Sequence, residues 1–479
     1  MRVVFFVKSI ADACFSMAIA DEMKRRTPSA VFAAVAFREA LEGRRLRESG
    51  RFVEVITESE LHAGKGEALE VTTNGAAGYW RAAMYDRFVS MHRLGFVFRP
   101  GSIYSREQIR AVLHRKRSGI HGLVEGFSPD LVLFPGIDMG PVSALLLATA
   151  AAEAGVPVRR ATLTRLGDRV YLSESERDES VRIRTRFQDL RKDAPSIGAR
   201  SVARDLVDRL RGGHVTAPAP LASPRKPKEL LTGLVRAAQR ELRPDPLSAT
   251  LIGRAVDRIQ IWARGRMAAT LFRPLGELPF VFFPMHLEPE MALLLNAPFW
   301  CDQLSLIYNV AQSLPEDTEL WVKDHPHGIG RRPLGEYRRI AGIPNVRLID
   351  PRVPSLELIK KCQGVVTISG TAALEAFVCG KPAITFGDVY FNDAQPGITQ
   401  LKNPELLPKA LAAFRTFVAD EHLIETYVCA VLDNSIDMNV LVVADSIMRG
   451  ADLTEPVARY VDFILASLST AGSAPMAPP

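Results

Sequence analysis

The sequence lacks any apolar run long enough to cross a membrane. Such a span needs about eighteen consecutive apolar residues, and no segment of the 479 residues approaches that length. The first residues, Met-Arg-Val-Val-Phe-Phe-Val-Lys-Ser, hold too short an apolar run for a signal-peptide core, and Lys8 and Asp12 interrupt it. We therefore expect a cytoplasmic protein, with peripheral contact to a membrane surface left open.

Cysteine is scarce, and there is little excess charge of either sign. The five cysteines are odd in number, and no pair has the spacing of metal ligands. This pattern argues against a disulfide framework and a cysteine-based metal site, and it suits a reducing compartment. The formal net charge of +6 is modest for this length and does not by itself indicate nucleic-acid binding.

What the sequence does contain is two α/β patterns. Short apolar runs at 2–7, 31–37 and 52–56 alternate with helical segments, and a second series begins at 279. Strands that alternate with helices predict parallel sheets. The predicted fold class is α/β, with two Rossmann-like domains facing a cleft, a helical linker and a helical C-terminal region.

Composition sets the predicted domain boundaries. Residues 1–210 form an N-terminal Rossmann-like domain, and 211–275 form a Pro-rich linker followed by a basic helical segment. Residues 276–450 form a second Rossmann-like domain, and 451–479 form a C-terminal helix and a disordered tail. The segment 216–275 contains eleven Lys and Arg residues and four Asp and Glu residues. This basic helix either lies on an anionic membrane surface or presents a solvated face.

Two polar clusters follow strand-like runs in the second domain. Ser369-Gly370-Thr371 lies between an apolar run and a helix, where hydroxyls and backbone amides can bind phosphate; simple helix capping, with Glu375 nearby, is the alternative. Lys323 and His325-Pro326 follow another run, and clustered donors suit a phosphate-bearing leaving group. We predict that both clusters contact one anionic ligand, because ligands bind beyond the carboxyl ends of such strands.

Carboxylates after other strands are the remaining candidates. His286, Glu288 and Glu290 follow the first strand of the second domain. They either contact a ribose or sugar or begin a helix with Pro and acidic residues. Asp138 and Asp12 follow strands of the first domain. Each is either a general base for an acceptor hydroxyl or a helix cap.

These motifs resemble a known family. His325-Pro326, Ser369-Gly370-Thr371 and the run from Thr371 through Glu375 to Gly380-Lys381-Pro382 are similar to the bacterial capsule polysaccharide biosynthesis family. That family includes GT-B glycosyltransferases of the Kdo-transferase and sialic-acid-transferase types. The segment from Val281 to Glu290 shares the resemblance. The first half matches in architecture alone, and the family's acidic base motif is not obvious here.

The resemblance implies a GT-B-like fold and a glycosyltransferase that needs no metal. It implies that His325 and Ser369 contact the donor's phosphate. Further contacts to that phosphate would come from Lys323, Gly370 and Thr371. Contacts to the donor's sugar or nucleoside would come from His286, Glu288, Glu290 and Glu375. The expected partners are a nucleotide-sugar donor, CMP-linked sugars among the candidates, and a surface glycan or glycolipid acceptor at the inner membrane. Nucleic acid is not expected, nor is a cofactor. A sugar-nucleotide epimerase or hydrolase, or a non-catalytic assembly protein, remains an alternative.

Overall fold

The computed structural model describes residues 1–37, 39–63, 106–137, 142–213, 251–288 and 291–469. Asp138, Glu290, the Pro-rich part of the predicted linker and the predicted tail lie outside the described residues, so the expectations placed on them stay predictions. The described residues build two sheets, one of seven strands and one of six. The two predicted Rossmann-like halves are thereby confirmed.

The first sheet contains continuous apolar strands. Its strands are β1 Arg2–Val7, β2 Val31–Ala36, β3 Phe52–Thr57, β4 Leu131–Phe134, β5 Val158–Leu163, β6 Arg169–Ser173 and β13 Ser435–Asp437. Their order across the sheet is β3-β2-β1-β4-β5-β6-β13. The strands from β3 to β5 pair in parallel, whereas β5, β6 and β13 pair antiparallel. Five of the six residues of β1 are buried, as expected for a strand covered on both faces.

The second sheet is parallel throughout and carries most of the predicted site. Its strands are β7 Phe280–Pro284, β8 Glu319–Lys323, β9 Val346–Ile349, β10 Gly364–Val366, β11 Ala383–Thr385 and β12 Ile398–Gln400. Their order is β12-β11-β10-β7-β8-β9. Because β7 lies between β10 and β8, the segments that follow these three strands emerge side by side.

Helices connect and cover the strands. Those before the second sheet are α1 Ile10–Arg26, α2 Arg44–Glu48, α3 Glu58–Ala63, α4 Arg106–Phe127, α5 Val142–Glu153, α6 Val181–Lys192, α7 Ile197–Arg211 and α8 Leu251–Ala269. Those that follow are α9 Met291–Asn296, α10 Gln303–Gln312, α11 Leu334–Ala341, α12 Ser355–Lys361, α13 Ala372–Val378, α14 Leu407–Ala412, α15 Glu421–Asp433, α16 Val440–Met448 and α17 Thr454–Ser469.

The two halves exchange chain segments. After α15 the chain returns to the first sheet, where β13 pairs with β6 and both α16 and α17 pack against α1. In the opposite direction, α6 and α7 pack against α15, and their buried side chains share a core with the second sheet. The predicted boundaries at 210 and 450 therefore fall within these exchanged segments. Periodicity identifies a helix but not the sheet on which it packs.

A polar junction joins the carboxyl edge of the first sheet to the second half. The backbone N–H of Tyr390 donates to the Asp178 carbonyl at 2.6 Å, and the Asn296 amide Nδ2 donates to the Asp178 carboxylate at 2.9 Å. Arg160, which is almost completely buried, also donates to that carboxylate at 2.6 Å. The Tyr390 hydroxyl donates to the carbonyl of Thr164, in the turn between β5 and β6. These contacts bring that turn against the segment after β11.

Candidate functional site

The two predicted phosphate-binding clusters meet at the carboxyl edge of the second sheet. Lys323 ends β8 and His325 follows it, while Ser369 lies in the loop between β10 and α13. His286, which follows β7 between them, bridges the two segments. Its ring nitrogen Nε2 accepts a hydrogen bond from the backbone N–H of Ser369 at 3.3 Å and lies 3.4 Å from the Thr367 hydroxyl. The segments after β8 and β10 therefore lie on either side of the segment after β7, and their joint contact with one anionic ligand stays a prediction.

The His325 ring is held in one tautomer. Its Nδ1 accepts a hydrogen bond from the backbone N–H of His327 at 3.1 Å, within a short 3₁₀ turn over Pro326–Gly328. In the neutral ring the proton therefore lies on Nε2, because the nitrogen that accepts cannot also carry the proton. His325 is consequently a hydrogen-bond donor through Nε2, which is the atom needed to contact a phosphate oxygen.

A buried carboxylate supports the His325 turn from below. Asp324 has no exposed surface and accepts from the backbone N–H of His325 at 2.8 Å and from Arg332 Nε at 3.1 Å. The Tyr337 hydroxyl donates to its other oxygen. A Cβ on Gly328 would lie 2.7 Å from the same carboxylate, so the turn passes directly over it. Burial lifts the pKa of Tyr337 well above its ordinary value, and the charge of Asp324 adds to this.

Arg332 ties this support to the segment after β7. Its guanidinium, 5% exposed, donates to Glu288 at 2.9 Å and to the carbonyl of His286. The side chain of Gln303 makes two hydrogen bonds to the backbone of His286. It accepts from the His286 N–H at 2.7 Å and donates to the His286 carbonyl at 3.2 Å. Glu288 is thus paired with Arg332, and its predicted contact with a donor sugar stays a prediction. Sequence reasoning missed Asp324, Arg332 and Tyr337 because nothing in their spacing indicates this pairing.

The charges of Lys323 and Glu375 lie close enough for each to act on the pKa of the other. Lys323 is 5% exposed, and its ammonium donates to the Val353 carbonyl at 2.9 Å. Burial lowers the pKa of Lys323, and the nearby charges of Glu375 and Asp350 oppose that shift. Burial likewise raises the pKa of Glu375, opposed by a hydrogen bond from Thr371 and by the charges of Lys323 and Arg165. The site thus holds a cation whose charge is only partly compensated.

The Ser369 loop leaves no room for a side chain at Gly370. A Cβ there would lie 2.6 Å from the Thr367 hydroxyl and 3.4 Å from two atoms of the His286 ring. A glycine is therefore required for the loop to pack against His286. Hydroxyls stand on either side of Gly370, at Ser369 and at Thr371, and the Thr371 hydroxyl donates to Glu375 at 3.4 Å.

The first half contributes Asp12 at the carboxyl edge of its own sheet. The backbone N–H of Asp12 donates to the Ser9 hydroxyl, which caps α1, at 3.0 Å. Its carboxylate lies against Gly136, after β4, where a Cβ would come within 2.9 Å of it. Burial raises the pKa of Asp12, while hydrogen bonding to Ser9 and the charge of Lys8 oppose the shift. The cap of α1 is Ser9, so the Asp12 carboxylate is not needed for that role.

Two further observations concern metal ligands and membrane-spanning helices. Among residues 1–37, 39–63, 106–137, 142–213, 251–288 and 291–469, no three His, Cys, Asp or Glu side chains form a group that could hold a metal ion. No helix in the described ranges has the length and apolar character of a membrane-spanning segment.

Comparisons with known proteins agree with this geometry. Residues 241–428, which include both predicted phosphate-binding clusters, match the family model of capsule polysaccharide biosynthesis proteins. Protein FixF of Sinorhizobium fredii is 32% identical over 135 residues, which are 26% of this chain and 31% of FixF. The capsule polysaccharide modification protein LipA of Neisseria meningitidis serogroup B is 23% identical over 129 residues, which are 25% of this chain and 18% of LipA. The matches thus span less than a third of either relative.

Among the solved structures that this chain is similar to is KpsC of Thermosulfurimonas dismutans, a beta Kdo 2,7 transferase. It is 12% identical, covers 71% of this chain and 85% of its own, and gives a TM-score of 0.35. The GT-B-like fold of the present chain stands on its own two sheets, whose carboxyl edges meet at the junction described above. The likeness to capsule polysaccharide biosynthesis proteins thus lies in residues 241–428, which are less than half of this chain.

Proposed function

We propose that this protein transfers a sugar from a nucleotide-sugar donor to a surface glycan, as a capsule or lipopolysaccharide glycosyltransferase. The observation that carries the proposal is the meeting of the His325 turn and the Ser369 loop through His286, inside the segment that matches the family. In open α/β sheets this edge is where ligands bind. The donor would therefore bind on the second half and the acceptor on the first.

Departure of the nucleotide is the step that this edge is suited to assist. Negative charge grows on the donor's phosphate as the glycosidic bond to it breaks. His325 Nε2–H, the Ser369 and Thr371 hydroxyls and the loop amides are donors at fixed positions, and Lys323 adds positive charge behind them. Donors that are already oriented stabilise such charge without reorganising during the reaction. In this proposal no metal is needed, and the nucleotide sugar, CMP-linked sugars included, is a co-substrate.

The acceptor hydroxyl needs a base, and Asp12 is the described candidate. Its carboxylate lies at the carboxyl edge of the first sheet, and burial raises its pKa toward the range in which a base is effective near neutral pH. Asp138 lies outside the described residues and remains the second candidate. Glu288, Glu290, Glu375 and His286 remain proposed contacts to the sugar or nucleoside, with His286 also holding the Ser369 loop.

An acceptor attached to lipid would require contact with the inner membrane, and α8 offers a surface for it. Ile259 is 64% exposed and Trp262 is 63% exposed, and the Arg266 guanidinium stacks 5.6 Å from the centre of the Trp262 ring. The same helix packs at Gly265 against Ile329. Exposed aromatic and aliphatic side chains flanked by arginine are typical of helices that bind anionic lipid surfaces.

A donor-turnover assay tests the proposed transfer. Purified protein is incubated with CMP-, UDP-, GDP- and dTDP-linked sugars, with and without glycan acceptor, and nucleotide release is measured. Release that depends on the acceptor supports transfer, whereas turnover of donor alone would favour an epimerase or hydrolase. No turnover and no nucleotide binding would favour an assembly protein. His325→Ala and Ser369→Ala should each weaken nucleotide binding by about 1–3 kcal/mol, the range for a lost charge-assisted hydrogen bond.

A further inference from the structure

One turn of the first half has an unusual backbone and touches the second half. The turn joins β5 to β6, and Thr164, Arg165 and Leu166 open it. Arg165 has φ 60°, in the left-handed region that residues other than glycine rarely adopt. Such a conformation is strained and persists where the surroundings fix it.

Both neighbours of Arg165 are anchored to the second half. The Thr164 carbonyl accepts a hydrogen bond from the Tyr390 hydroxyl, and the Thr164 side-chain oxygen accepts from the backbone N–H of Leu166 at 3.1 Å. Leu166 is 1% exposed and belongs to the same buried cluster as Ala372 and Ala373, the first two residues of α13. The hydrogen bond from Tyr390 therefore fixes the turn against the segment after β11. That segment lies beside the Ser369 loop, because a Cβ on Gly387 would come 2.9 Å from the Cβ of Ser369.

Arg165 itself is exposed. Within the residues that the structure describes, it makes no hydrogen bond and no ion pair shorter than 4.0 Å. Its charge nevertheless acts on the site. Burial raises the pKa of Glu375, one helical turn beyond the Ser369 loop, and the positive charge of Arg165 is among the effects that lower it again. The arginine thus projects positive charge toward the loop without being neutralised by a close carboxylate.

We propose that Arg165 is the first half's contribution to the donor-phosphate site, a positioning residue that fixes the nucleotide's phosphate against the Ser369 loop. This inference rests on the proposed function. An arginine suits the role because its planar guanidinium can donate two parallel hydrogen bonds to phosphate oxygens. The Arg165 guanidinium belongs to the first half, whereas Lys323 and His325 belong to the second half. The phosphate would therefore lie between the two halves and hold them together.

Arg165→Asn tests the proposal without disturbing the turn. Asparagine is enriched in left-handed conformations, so the variant should fold at least as stably as the wild type. Whichever of CMP, UDP, GDP and dTDP binds the wild type should bind Arg165→Asn about 10- to 100-fold more weakly, the range for losing a charge-assisted contact. Arg165→Lys should restore part of the loss. Binding of the corresponding nucleoside should change little, because it has no phosphate.

Ser128→Asn is the matched control. Ser128 also has a positive φ, 45°, and it is exposed at the end of α4, before β4, away from the carboxyl edge of the sheet. This variant should leave nucleotide affinity unchanged. Wild-type affinity in Arg165→Asn, or an equal loss for nucleotide and nucleoside, would overturn the inference while leaving the proposed function intact. A wild type that binds none of the four nucleotides would overturn both.

Discussion

Replacing Arg332 by Met should destabilise the second half strongly. The change keeps most of the side chain's length and removes its charge. Asp324, which has no exposed surface, would lose the donor at 3.1 Å but keep the backbone N–H of His325 and the Tyr337 hydroxyl. Glu288 would lose its partner at 2.9 Å. Breaking a buried ion pair typically costs 3–5 kcal/mol, and the donors that remain to Asp324 place the expected loss near 3 kcal/mol.

The loss can be measured by urea unfolding followed by tryptophan fluorescence. Trp321 is buried in β8, where its ring stacks on Phe280 at 3.7 Å, and therefore reports on the second sheet. Arg352→Met is the matched control, because Arg352 pairs with Asp350 at the surface and is 82% exposed. Exposed pairs contribute about 0–1 kcal/mol, so this variant should unfold almost as the wild type does.

A second variant separates lost charge pairing from lost packing. In Arg332→Met with Asp324→Asn, the uncompensated buried charge is gone, so the double variant should be less destabilised than the two single losses added together. Equal, small losses for Arg332→Met and Arg352→Met would refute the reasoning. So would strict additivity in the double variant, because the argument requires the two charges to depend on one another.

Three further outcomes follow from the structure. Asp12→Asn should reduce transfer by about 10²–10⁴-fold if Asp12 is the base. Burial raises the pKa of Asp12 in the folded state above its unfolded pKa, near 3.8. The contribution of Asp12 to folding stability is therefore full below the unfolded pKa and is lost as pH rises through the folded pKa. Asp12→Asn should therefore gain stability over the wild type as pH rises to 8 in thermal unfolding, and no gain would contradict the pKa direction. Gly370→Ala should weaken nucleotide binding, since its Cβ would lie 2.6 Å from the Thr367 hydroxyl. Adding Thr367→Ala to this variant should recover part of the affinity. Wild-type affinity in Gly370→Ala would contradict the packing described for the loop. Trp262→Ala should lower co-sedimentation with vesicles containing phosphatidylglycerol, whereas Ile197→Ala, at a still more exposed site on α7, should not.

Most strands of both sheets could be predicted from the sequence, because each of these is a short apolar run bounded by turns, whereas β12 and β13 are too short and polar to be recognised. The runs beginning at Val281, Leu320 and Val365 lie in β7, β8 and β10 as expected. What the sequence did not indicate is that β13 returns to the first sheet and that α6 and α7 join the core of the second half. These placements depend on contacts between residues far apart in the chain, which local hydrophobic periodicity does not indicate.

The candidate site was predictable in its donors but not in its support. Lys323, His325 and Ser369 stand directly after strands, and parallel topology alone brings such positions to one edge. Asp324 and Arg332 are buried charges that look like ordinary surface residues in the sequence. Arg165 was equally hidden, because its backbone conformation and its closeness to the segment after β11 exist only in the folded chain.

The most direct test of the central claim is calorimetric titration of the protein with CMP, UDP, GDP and dTDP, with and without magnesium. Wild type, His325→Ala and Ser369→Ala are compared. The account predicts that one nucleotide binds the wild type equally well with and without magnesium, and that each substitution weakens it by about 1–3 kcal/mol. No binding of any nucleotide to the wild type, or full affinity in both variants, would contradict the assignment of this edge as the donor-phosphate site.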